Sequence, residues 1–183
     1  MPTIQTKAQL MTASEIDRTL VRLAHEVVDK NDTSEQLAVI GIHRRGAVLG
    51  ERLSDKVSQL RSRKVAYGSL DIKLYRDDLS AVADHPVVSS GEIPFAIDGL
   101  DVILVDDVLY TGRTVQSALG SLIARGSPRT IQLCTLIDRG HRLLPIEARF
   151  VGKDVETSIS EIIEVKLMPI DGEERVLLVE KEN

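Results

Sequence analysis

Cys134 is the only cysteine in this 183-residue chain. One thiol cannot close an internal disulfide. Its place in the apolar run Ile131 to Ile137 predicts a buried, inert side chain. Long apolar runs are missing too, since none approaches the roughly 18 residues of a membrane-spanning helix. The first fifteen residues, MPTIQTKAQLMTASE, have neither the basic start nor the apolar centre of a secretory leader. A cytoplasmic protein with no membrane partner is expected. Positive charge is not in excess: 23 Lys and Arg stand against 28 Asp and Glu, a formal charge of −5. The bulk charge therefore gives nucleic-acid binding no help, although an acidic total is compatible with a local basic face. No internal repeat or low-complexity tract interrupts the chain, and no cluster has the spacing of a protein zinc site.

What is present suffices for a core. Apolar residues make up 43% and charged residues 28%, which fits one domain with a small subdomain or a long arm. Thr12 and Glu15 form a capping box. Ile16, Leu20, Leu23 and Val27 then recur at helical spacing, predicting a helix over about 12–30. Leu37 to Ile42 is a continuous apolar run, the pattern of a strand covered on both faces. After Gly46, the residues Val48, Leu49, Leu53, Val57 and Leu60 mark a second helix. Residues 65–75 alternate as a strand, and 76–99 read as an irregular loop or a long hairpin arm. A buried strand at 102–105, a helix at 111–126, a buried strand at 131–137 and strands near 148–151, 161–168 and 175–180 complete the chain. This β–α alternation predicts an α/β fold with a central, mostly parallel sheet flanked by helices. Such sheets bind ligands at the carboxyl ends of their strands.

At one such end stands VILVDDVLYTGRT, Val102 to Thr114. The apolar strand closes on Asp106 and Asp107, then Val108, Leu109, Tyr110, Thr111, Gly112, Arg113 and Thr114 open a helix. A helix N-terminus with its unpaired amides suits a phosphate. Gly112 permits close backbone approach, and Thr111 and Thr114 add hydroxyl donors. Carboxylates do not bind phosphate. Acids beside a phosphate cradle therefore suggest a sugar diol, or a hydrated Mg²⁺, between the two. A plain capped turn with two solvated acids is the bland reading of the same residues, and the full thirteen-residue combination argues against it.

This stretch resembles the 5-phosphoribosyl-1-pyrophosphate (PRPP) motif of type I phosphoribosyltransferases. Tyr110 before Thr-Gly-Arg-Thr resembles one branch, the PyrR family of bifunctional pyrimidine-operon regulators and uracil phosphoribosyltransferases. The resemblance covers nearly the whole chain; the first helix matches loosely, and LDIKLYRDDL (70–79), IDRGHRLLPI (137–146) and FVGKDVETS (150–158) match more specifically. It implies a single phosphoribosyltransferase domain over 1–183, with a flexible loop at about 74–99 and hood segments from about 138–183. It also implies an enzyme that joins uracil to PRPP with Mg²⁺, releasing UMP and pyrophosphate. A second activity is implied as well, binding to a pyrimidine-operon mRNA leader in response to UMP or UTP. A dimer or larger homo-oligomer is expected, with the first helix as a candidate contact.

The resemblance also assigns the remaining pieces. In this family the loop corresponding to Gly41–Gly46 meets the pyrophosphate, often through a strained peptide. Arg44 and Arg45 suit that anion, because guanidinium pairs bidentately with phosphate. Arg76 belongs to the expected catalytic loop and is a candidate for reaching the leaving pyrophosphate. With Asp106, Asp107 and Arg45 it makes up the expected catalytic set. Arg139 is expected to flank the base pocket or to contact phosphate. His141 reads as a catalytic group, an RNA contact or a surface residue. His25 reads as a packing histidine, with RNA contact implied nearby. Arg22, His25, Lys30, His141, Arg142 and Lys153 are the candidate RNA-binding residues. Three departures from the family fall on this face. Glu147 stands where an arginine is typical and Val21 where a hydroxyl residue is usual. Asp154-Val155-Glu156 replaces an expected Asn and Pro, although Arg149 is close enough in sequence to offset Glu147. Carboxylates oppose an approaching phosphate backbone, so catalysis is expected to be retained and attenuation weakened, altered or lost. A chain that is mainly an RNA-binding attenuator, and a transferase for another base, are the alternative readings.

Overall fold

The computed structural model describes residues 4–72, 88–89 and 91–181. The chain runs β1 (Ile4–Thr12), α1 (Ala13–Lys30), β2 (Leu37–Ile42), α2 (Arg45–Arg61), β3 (Ala66–Ile72), β4 (Val88–Ser89), β5 (Asp101–Leu109) and α3 (Arg113–Arg125). It ends with β6 (Thr130–Asp138), β7 (Phe150–Asp154), β8 (Glu161–Lys166) and β9 (Arg175–Lys181). Six strands form one sheet in the order β4-β3-β2-β5-β6-β7. The five from β3 to β7 are parallel, and the short β4 pairs antiparallel with β3. The α/β fold with a mostly parallel sheet is thus the architecture observed.

Its cause is the apolar runs. All six residues of β2 are buried, as an all-apolar strand must be when helices cover both faces. On one face Ile16, Leu20, Leu23 and Val27 of α1 pack with Leu49, Leu53 and Val57 of α2 over Val39, Ile103 and Val105. On the other, Val115, Ala118 and Leu122 of α3 cover Ile40, Ile42, Val102 and Leu104. The apolar stripe of α1 is therefore buried inside the chain, while Val21 on the same helix is exposed. α1 begins with the expected capping box: Glu15 N–H donates to Thr12 Oγ1 at 3.2 Å, and Thr12 N–H donates to Glu15 Oε2 at 2.7 Å. Cys134 is buried in the first cluster, and burial pushes its thiol up to about 12.

A second sheet, antiparallel with the order β1-β9-β8, contains β8 and β9 of the segment expected to form the hood. Ile163 and Val165 of β8 and Val176 of β9 join the α1–α2 cluster. This sheet also takes in β1, which the sequence pattern does not reveal. Arg76 and most of the expected loop at 74–99 lie outside the described residues.

One buried acid locks the start of β5. Asp101 accepts from Ser34 Oγ at 2.5 Å, Thr130 Oγ1 at 2.6 Å and Arg129 Nε at 3.1 Å. Burial alone would raise its carboxyl, but these donors outweigh it and hold the group at about 2, against an ordinary 3.8. Its contribution to stability is therefore complete above pH 3.8 and is lost as pH falls from there towards 2. Asp101→Asn should cost about 2 kcal/mol at neutral pH, the worth of hydrogen bonds to a charged acceptor. In urea titrations the gap from the unaltered chain should close in acid. A gap that persists unchanged through that window would refute the assignment.

Candidate active site

β5 delivers the acids. Its pairing with β6 continues through Asp106–Thr135, Val108–Ile137 and Leu109–Asp138, so the strand runs past the two aspartates instead of ending before them. Asp106 is 6% exposed, and its Oδ1 accepts the Asp107 N–H at 2.9 Å. Asp107 is half-buried and accepts the Val108 N–H at 2.9 Å. Asp107 is the more accessible acid. The chain then turns at Gly112, whose φ of 94° is left-handed and open mainly to glycine. A side chain there would also press on Ile146 at 3.3 Å. Helix α3 starts at Arg113, with no capping side chain from Gly112. Asp106 and residues 108–115 line one concavity. The parts expected to meet at a phosphate cradle are brought together.

The 138–146 segment holds that cradle in place. Thr111 O accepts from Leu143 N and Leu144 N at 3.0 and 3.1 Å. Arg142 donates to Tyr110 O at 3.0 Å and Ile146 O at 2.8 Å, and it pairs with Asp138. The i,i+4 spacing of Asp138 and Arg142 was the available signal for this strap. Arg139 is buried. It donates to Thr157 Oγ1 at 3.2 Å and Ser158 O at 3.1 Å, and its guanidinium lies 4.0 Å from the centre of the Tyr110 ring. Arg139 thus buttresses the loop from behind. His141 is exposed, with its Nε2 2.5 Å from Thr157 O. That contact requires the proton on Nε2.

Across the strand ends lies the loop from β2 to α2. Gly46 packs its backbone on Val105 and Asp106. The His43–Arg44 peptide bond is cis, and Arg44 is exposed. Arg45 is turned to the hood: its Nη2 and Nε donate to Asp171 at 2.6 and 3.0 Å. That pair raises the Arg45 guanidinium and lowers the Asp171 carboxyl. No pattern in the sequence pointed to Asp171, which is 126 positions away. Among the described residues no group of three or more His, Cys, Asp or Glu could hold a metal ion. Asp106 and Asp107 fit an ion that brings substrate oxygens to complete its shell.

The phosphoribosyl transferase domain family matches residues 9–169. The chain is 51% identical over 174 residues to the bifunctional protein PyrR of Pelotomaculum thermopropionicum, covering 95% of this chain and 96% of that one. It is 50% identical over 177 residues to the bifunctional protein PyrR of Deinococcus radiodurans, covering 97% of each. The chain belongs to the PyrR family. The same fold occurs in a hypoxanthine-guanine phosphoribosyltransferase of Bacillus anthracis, with a TM-score of 0.74 at 17% identity over 97% of this chain and 99% of that one.

Several residues expected to face RNA also make contacts within the chain. Arg22 donates to the carbonyls of Val151 and Gly152 at 3.2 and 2.5 Å and pairs with Glu26 at 2.6 Å. It covers the free edge of β7. Lys153 reaches Leu10 O at 3.2 Å, and Arg142 is the strap already described. Arg149 donates to Gln132 at 3.2 Å. His25, read as a packing residue, is exposed, as is Lys30. Glu147, Asp154 and Glu156 are exposed too.

Proposed function

We propose that this chain joins uracil to PRPP, forming UMP and pyrophosphate, and that the β5–α3 loop is its PRPP site. The observation that carries this reading is the union, in one concavity, of a left-handed Gly112 opening a helix, two threonines and Asp106, with Asp107 next to it in the chain. The α3 N-terminus, Thr111 and Thr114 would hold the 5′-phosphate, so binding far from the reacting bond positions the sugar. Asp107 would face the ribose hydroxyls, and Asp106 would brace it through the Asp107 amide. A uracil ring nitrogen bonds to the anomeric carbon as the carbon–oxygen bond to pyrophosphate breaks. The electron pair leaves with pyrophosphate, and the ring-nitrogen proton passes to solvent. Mg²⁺ carried in with PRPP would neutralise charge on the leaving group. The guanidinium of Arg45 would add to this, and Asp107 would favour the positive charge growing on the ring. Incubating purified protein with PRPP, Mg²⁺ and separate uracil, orotate, hypoxanthine and guanine tests the reading. UMP from uracil alone is the expected result. A purine or orotate product with none from uracil would replace it with transfer to another base.

A second reading concerns regulation. Three of the six candidate RNA cations donate to backbone carbonyls, and the carboxylates of Glu147, Asp154 and Glu156 are exposed. We infer weak binding to the mRNA leader of the chain's own pyrimidine operon. Each single-strand phosphate contacted contributes a log–log salt slope of about −0.7, so a shallow slope is expected. Tight binding with a steep slope, strengthened by UMP, would reverse this.

A further inference from the structure

Helix α2 carries Arg45 and Arg52, two turns apart on one side, and both are held by the loop that joins β8 to β9. Arg52 donates to Glu174 at 2.6 and 3.0 Å and to Met168 O at 3.1 Å. Arg45 pairs with Asp171 through Nη2 and Nε. The two clamps look alike, but their positions differ. Arg52 lies along the helix. Arg45 is its first residue, next to Gly46, which touches the strand end at Asp106. The Asp107 carboxylate acts on Arg45 as well, after the closer Asp171. Arg45 therefore stands between the hood and the acids of the PRPP site.

Asp171 is itself fixed. Its Oδ2 accepts the Leu167 N–H at 2.8 Å, and its own N–H donates to Leu167 O at 2.9 Å. Leu167 is fully buried. A carboxylate anchored at a core residue thus grips one side of a guanidinium. Side-on pairing takes Nε and Nη2, and Nη1 remains to donate elsewhere. We propose that Asp171 is a positioning residue that holds Arg45 oriented for the pyrophosphate of PRPP, and that the hood thereby sets the affinity of the PRPP site. The inference rests on the reading that the loop from β2 to α2 meets pyrophosphate. A long side chain already held in its binding rotamer does not lose that freedom when ligand arrives.

Asp171→Asn and Glu174→Gln, compared by steady-state kinetics, by calorimetric titration with PRPP and with pyrophosphate, and by melting temperature, test this. Asn keeps one acceptor for the Leu167 N–H but loses the charged, two-point grip. Both variants should melt earlier. Only Asp171→Asn should weaken PRPP and pyrophosphate, by about tenfold, the size expected when one more side chain must be immobilised on binding. Its KM for PRPP should rise and kcat should fall, since Arg45 also meets the charge growing on the leaving pyrophosphate, while the KM for uracil stays within about twofold of the unaltered chain. Unchanged or tighter PRPP binding in Asp171→Asn overturns the proposal. Equal weakening in Glu174→Gln also overturns it, because the loop would then act only as a structural latch. If Asp171→Asn does not fold, Asp171→Glu keeps the charge but misplaces it, and unchanged PRPP affinity there overturns the proposal equally. Arg45→Ala separates the two levels. PRPP affinity that is indifferent to Arg45 removes the pyrophosphate reading of the loop. Affinity that needs Arg45 but not Asp171 removes only the positioning role.

Discussion

Asp107→Asn is expected to lower kcat for UMP formation by about a hundredfold, or about 2.7 kcal/mol of barrier, with the fold as stable as before. The fold survives because the local contact survives. Asp107 accepts the Val108 N–H through one oxygen, and an amide oxygen can do the same. What disappears is a negative charge on a half-buried side chain beside the reacting sugar. A unit charge and a carboxylate roughly 5 Å apart attract by about 3 kcal/mol at an effective dielectric near 20. That attraction grows only as the anomeric carbon becomes cationic, so its loss falls on kcat. Thr111→Ala should behave differently. A hydroxyl donated to a phosphate is present in the ground state and the transition state alike. Its loss should raise the KM for PRPP by roughly 10- to 100-fold, the worth of a hydrogen bond to a charged group, and move kcat little. Full activity in both variants would remove the β5–α3 loop from the site. A kcat effect from Thr111 with a KM effect from Asp107 would invert the roles assigned to them.

The proposed PRPP site was legible because its signals are local. A buried strand, two acids, a glycine with a special backbone and a helix start lie within thirteen consecutive residues, and each has its own physical cause. The sheet was legible for a similar reason. The runs at Leu37–Ile42 and Val102–Val105 are too short for a typical helix and read as strands covered on both faces. Strand β1 was not legible. Its residues IQTKAQLMT are exposed except near Met11, and the pairing with β9 is interrupted by register shifts, so no clean alternation marks it. The partners of the arginines were hidden by distance in the chain. Asp171, Glu174 and the carbonyls of β7 meet their cations only through the tertiary fold. Sequence reading consequently named Arg22, Arg142 and Lys153 as candidate RNA contacts without the backbone carbonyls to which each of them donates. The end of β5 was misjudged for a related reason. Two acids look like a strand end, yet continued pairing with β6 carries β5 to Leu109.

Gly46→Ala should abolish measurable PRPP binding and destabilise the chain, although Gly46 offers no side chain to any ligand. A Cβ at this position would lie 2.7 Å from Val105 O and 3.1 Å from the Asp106 Cα. Both are backbone atoms of a central strand, buried and paired to neighbours on either side, so neither can give way. The movement must come from α2, whose first turn would lift away from the strand end. Over-packing of this kind costs about 1–3 kcal/mol, which for a chain of this length lowers the melting temperature by roughly 2–4 °C per kcal/mol. The functional cost is larger than the stability cost. Lifting α2 displaces Arg45 and the cis peptide before it, and moves them relative to Asp106 and Asp107 across the same strand end. A site that aligns two loops on one sugar pyrophosphate tolerates little displacement, since about 1 Å can cost two orders of magnitude in rate. Thermal melts and PRPP titration calorimetry on the same preparation check both halves. A variant that melts early yet binds PRPP normally would show that the two loops are not registered through Gly46. A variant that melts normally and binds nothing would place the glycine against the ligand itself.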